Sequence, residues 1–166
     1  MSRKYRYLLT LFTAICLPAL SITSPDWLKI NGISPCWPVI WLLPFSLQNS
    51  PLVSAIAAVL IGLFMDSFKI GEVSYVPSLL ILSLIWARHG KRNKTIKLFF
   101  NVGLMAMVGT FFVGLSFWMQ RILLYNTLRN NWFNSWAIYL LAGELIITGL
   151  VAPLFTSWLL LTYKKN

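Results

Sequence analysis

The side chains able to do acid–base, metal or nucleophilic chemistry are few: Asp26, Asp66, Glu72 and Glu144, the single histidine His89, and two cysteines, Cys16 and Cys36. Magnesium-assisted chemistry on lipid phosphates needs clustered acids, and metal-free phosphate chemistry needs a histidine–arginine set. Four scattered acids supply neither. No H-E-x-x-H, G-x-S-x-G or P-loop pattern occurs. The cysteines lack metal spacing and read as apolar packing residues. His89 sits among Arg88, Lys91, Arg92 and Lys94, where a solvated role is expected. The expectation is a protein without catalytic residues, cofactor or metal.

The elements that position these groups follow from composition. Hydrophobic residues form 58% of the 166-residue chain and charged residues 11%, far below the roughly 25% charged of soluble domains. So few charges cannot cover a water-facing surface, and an all-α integral membrane protein is expected. The net charge of +10 is accounted for by the bilayer rather than by nucleic acid. Apolar segments fall at roughly 7–23, 35–47, 52–65, 76–88, 98–120 and 136–162. Only the first, fifth and sixth approach the ~20 residues that span a ~30 Å core upright, and the second carries Pro38 and Pro44. No connecting loop is long enough to bury a separate core, so the chain is a single transmembrane domain.

Charge sets the expected topology. Arg3, Lys4 and Arg6 precede the first segment; Arg88, Lys91, Arg92, Lys94 and Lys97 lie between the fourth and fifth; Lys164 and Lys165 end the chain. If all six segments cross, these basic residues share the cytoplasmic side, leaving Lys29, Lys69, Arg121 and Arg129 outside. Making one short segment re-entrant would put the five-charge loop outside. Six crossings with both termini cytoplasmic is therefore the expected layout. The first segment also has the marks of a signal peptide, but Tyr7 to Thr23 is long enough to span, and an uncleaved helix is expected. Tryptophans such as Trp27, Trp86, Trp118 and Trp136 fall near predicted interfaces, and the outer stretch Arg121–Ser135 reads as an interfacial loop.

Two acids stand out against this frame. Asp66 ends the third segment and shares a helical face with Gly62, Ala58 and Ser54, because residues four apart stack on one side. Small residues in such a row let helices approach closely in lipid. The row is a packing stripe within the chain or a contact for a partner. Glu144 lies about eight residues into the sixth segment, roughly 12 Å below its outer end. An acid at that depth faces protein and needs a partner, and Arg121 or Gln120 is the nearest candidate. The pair forms an interhelical contact or lines a polar cavity. Further small-residue stripes at Ala106, Thr110, Gly114 and at Gly149, Ala152, Thr156 are expected to pack within the chain. The basic loop Arg88–Lys97 offers contact with anionic lipid headgroups.

Residues 33–92 carry a resemblance to a known family. Ile33-Ser34-Pro35 leads into an apolar segment with Trp41; Ser50 then leads to Gly62-Leu63-Phe64-Met65-Asp66, Gly71, the run Val76–Trp86 and the basic loop. This pattern, with Gly62, Asp66 and Gly71 matching, resembles the MreD family, integral membrane proteins of the bacterial rod-shape machinery. A further glycine common in the family's turn is replaced here by Val73, Ser74 and Tyr75. The resemblance implies a non-catalytic scaffold in the bacterial cytoplasmic membrane. It implies an MreC-like single-span partner, and coupling of MreB filaments to a RodA-type glycosyltransferase with its penicillin-binding transpeptidase. It also implies a fold similar to the six-helix substrate-binding components of energy-coupling-factor transporters. The alternative reading is a substrate-capture subunit of such a vitamin or metal transporter. Against it, Ala14 and Ala19 of the first helix are off the register those subunits use for docking.

Overall fold

The computed structural model describes Cys16, Lys29 and residues 32–68, 73–92, 99–125 and 135–164. Among these the chain is all-helical: α1 (Trp37–Gln48), α2 (Pro51–Ser67), α3 (Val76–Arg92), α4 (Phe99–Tyr125) and α5 (Ser135–Lys164). The later five apolar segments each coincide with one of these helices. The first segment, apart from Cys16, lies outside the described residues.

Helix α1 is the centre of the bundle and packs against all four others. It has 12 residues, so it is roughly 18 Å long, and its side chains from Trp37 to Pro44 are all buried. A helix that is apolar on every side is stable only when surrounded. Leu79, Leu82 and Trp86 of α3, Ala58 and Ile61 of α2, Ala106 of α4 and Ala152 of α5 share its core. Prolines open the helices cheaply: Pro38 and Pro51 stand in the first turns of α1 and α2, where a missing N–H is no loss. At its far end α1 stops at Asn49, whose side-chain amide donates to the Phe45 carbonyl at 2.8 Å.

Helices α4 and α5 are longer. The stretches Asn101–Leu124 and Ile138–Ser157 are long and apolar enough to cross a membrane, while Pro51–Ser67 and Val76–Gly90 are shorter apolar helices. Large apolar side chains face outward on several helices, among them Leu52, Ile56, Leu60 and Leu63 of α2, Leu104, Val108 and Phe111 of α4, and Leu150 and Leu154 of α5. Inside, five hydroxyls bond back along the chain. Ser46, Ser78, Ser83, Thr110 and Thr156 donate to carbonyls three or four residues back, a local bond that lets a polar residue sit in an apolar interior.

Two boundaries differ from the sequence expectation. Helix α3 continues through Arg92, so Arg88 and His89 are helical rather than part of a loop; both are exposed, and His89 Nδ1 lies 3.0 Å from the Ile85 carbonyl. Helix α4 likewise runs to Tyr125, which puts Arg121 inside its last turns. In α3 the apolar run ends before the backbone hydrogen bonding does, and in α4 the single Arg121 interrupts a run that resumes at Ile122-Leu123-Leu124. The loss of hydropathy marks where lipid contact would stop, not where a helix stops.

Candidate functional site

The Gly62–Asp66 pattern meets the start of α3. A β-carbon on Gly62 would stand 2.9 Å from the Val76 Cα and Cγ2 and 3.1 Å from its nitrogen, so only glycine admits this backbone approach. One turn further on, Asp66 reaches over the end of α2. Its Oδ2 accepts from Ser74 Oγ at 2.6 Å and its Oδ1 accepts from the Tyr75 amide at 2.9 Å. Ser74 Oγ in turn accepts from the Val76 amide at 3.2 Å. The first amides of a helix have no partner within it, and a carboxylate there is favoured by the helix dipole. Asp66 is thus a cap for α3 supplied by the neighbouring helix.

A third helix joins the same residue. The Gln120 side chain of α4 receives the Ser74 amide on Oε1 and donates through Nε2 to the Ser74 carbonyl, both at 2.9 Å, and also reaches Ser116 Oγ at 3.1 Å. Beside it the rings of Tyr75 and Phe117 meet edge-on, with centroids 4.6 Å apart. Ser74 therefore engages its amide, carbonyl and hydroxyl at once, and through them α2, α3 and α4 are fixed at one end of the bundle.

The rest of the stripe points inward. Ser54, Ala58 and Gly62 are buried inside the chain's own bundle, and Ser54 Oγ has no hydrogen-bond partner among the described residues. Gly71 lies outside the described residues. Glu144 is half-buried on α5, and Arg121 is exposed on α4. Gln120, the other residue expected near Glu144, is engaged instead with Ser74 and Ser116.

Helix α5 contributes two further junctions. Thr148 Oγ1 accepts from the buried Cys36 amide at 3.0 Å, capping α1 from a residue far along the chain. Lower down, Pro153 has no N–H to offer the Gly149 carbonyl. A β-carbon on Gly103 of α4 would stand 2.8 Å from that oxygen. With hydrogen in its place, the Gly103 Cα–H is directed at the released carbonyl, a weak but recurring helix–helix contact.

Ser74 and Thr148 are residues to which the sequence reading gave no role, and Gln120 was expected at Glu144 rather than at Ser74. Ser74 carried a signal, since a serine just before an apolar run marks a helix start. Gln120 and Thr148 carried none, because their targets are backbone groups. Among the described residues no group of three or more His, Cys, Asp or Glu side chains could hold a metal. What the arrangement does chemically is satisfy buried and half-buried backbone groups and hold helix ends. Set against known proteins, the chain matches no family model, no curated sequence and no solved structure.

Proposed function

We propose that the chain is a multi-pass protein of the bacterial cytoplasmic membrane, with both termini cytoplasmic, acting as an MreD-like scaffold that holds an MreC-like single-span partner beside the RodA-type wall-synthesis enzymes. The observation that carries this reading is the Ser74 junction. The residues behind the family resemblance, Gly62 and Asp66, are used to lock helices together, which is what a rigid docking body requires. The dispersion of the four acids along the sequence also favours a non-catalytic role.

Because Ser54, Ala58 and Gly62 are buried within the bundle, the partner's membrane helix is assigned to an outward surface. The ridge Leu52, Ile56, Leu60 and Leu63 on α2 is exposed and recurs at helical spacing. In lipid, such docking depends on close packing and few polar contacts. The test is affinity purification of the tagged chain from its native membrane after gentle solubilisation. Recovery of a single-span protein together with wall-synthesis enzymes is expected. Recovery of an ATPase pair with a coupling subunit, or of a bound vitamin, would replace the scaffold with a transporter component.

A further inference from the structure

One side of α3 changes character along its length. Pro77, Ile81 and Leu84 are exposed and lie in one line, with Ile85 beside them; the next turn on that line carries the exposed Arg88, with His89 adjacent. From Pro77 to Arg88 the helix rises roughly 16 Å at 1.5 Å per residue. That is close to one leaflet of a ~30 Å hydrocarbon core. The opposite side of the same turn is fixed: Gly90 lies so close to the Leu47 carbonyl at the end of α1 that no β-carbon fits between them. The packed side of α3 therefore faces α1, and the Arg88 line is left facing out on a braced helix.

The charge at this end has no answering acid among the described residues. Asp66 caps the beginning of α3, the far end from Arg88. Glu144 neighbours Gly143, which packs on Ile33 ahead of the start of α1, whereas Gly90 packs at the end of α1. The sequence adds Lys91 and Arg92 in the same helix and Lys94 and Lys97 beyond it.

We propose that this side of α3 binds an anionic phospholipid of the cytoplasmic leaflet. An acyl chain lies along Pro77, Ile81 and Leu84, and the phosphate sits at Arg88. A leaflet-length apolar line ending in a cation that meets no acid among the described residues complements that ligand in both shape and charge. A soluble phosphate would use only the cationic end. The inference rests on the membrane reading above and not on the scaffold role.

The test is native mass spectrometry of the purified full chain released from phosphatidylcholine nanodiscs containing a minor fraction of phosphatidylglycerol. Selective retention of phosphatidylglycerol is expected, saturating at one lipid and declining as salt is raised. Arg88→Gln should weaken it about fivefold, the effect of one cation at an anionic surface, and Arg88→Lys should restore most of it. Arg3→Gln, which removes a charge from the N-terminal basic run, should leave it unchanged. Equal loss in Arg88→Gln and Arg3→Gln, retention insensitive to salt, or displacement by inorganic phosphate alone would overturn the proposal. Failure of the chain to enter nanodiscs would overturn the membrane reading and this proposal with it.

Discussion

The α2–α3 pair and the α4–α5 pair are both antiparallel and both drawn together at a glycine, yet they are secured differently. In the first, Gly62 meets the Val76 backbone, and the contact is then closed by Asp66, Ser74, Tyr75 and Gln120. In the second, Gly103 faces the Gly149 carbonyl and Gly114 faces the Leu141 side chain, while Thr110 and Thr156 turn their hydroxyls back onto their own helices. Length explains the contrast. Helices α2 and α3 have 17 residues each, against 27 and 30 for α4 and α5. Dispersion contacts are individually weak and add up with the number of facing turns. A long pair accumulates enough of them, whereas a short pair with a brief connection gains from directional bonds at its end.

The comparison can be broken most severely at Gly62. Gly62→Leu forces side-chain atoms into backbone rather than into a movable side chain, and a loss of about 3 kcal/mol or more is expected. Thermal unfolding of the purified protein in mild detergent would register it, and a melting temperature near that of the wild type would mean that the α2–α3 approach is not required. Asp66→Ala is the next largest change. It strips an acceptor from both the Ser74 hydroxyl and the Tyr75 amide, about 2 kcal/mol in all. Asp66→Asn keeps one acceptor oxygen and should fall between the alanine variant and the wild type in the same melt. If the two variants melt alike, the bond to the Tyr75 amide contributes little. The smallest effect is expected in the long pair: Gly103→Ala should lower stability by about 1 kcal/mol, because many other turns keep α4 and α5 together. A larger loss than Asp66→Ala would reverse the assignment of polar locking to the short pair and distributed packing to the long one.

Hydropathy made the helices legible, because each apolar run needed to be buried or lipid-facing over its whole length. The Ser54–Ala58–Gly62–Asp66 row was also legible, since helical spacing alone puts those residues on one face. What Asp66 touches was not. Its partners are a backbone amide and a serine in a connection, and a backbone amide looks the same in every residue. Gln120 shows the same difficulty more sharply. By side-chain chemistry it was a natural neighbour for Glu144, but its amide is matched in shape to a peptide group, and it took the one at Ser74. The central place of α1 was foreshadowed by side chains that are apolar all round. Its two prolines and short length set it apart from the longer segments, and its central place is seen only in the packing of the other four described helices against it.

Ser74 also has a bearing on the order of biogenesis. Chains fold as they are made, N-terminal parts first, and α2 and α3 are synthesised before Gln120 of α4. During that interval the Ser74 peptide group lacks its amide partner, while its hydroxyl can already engage Asp66. Arrival of α4 supplies that partner, the Gln120 amide. The seam at the end of the bundle thus closes late, and a released chain truncated between Arg92 and Gln120 would display an intermediate whose α2–α3 corner is built but not yet sealed.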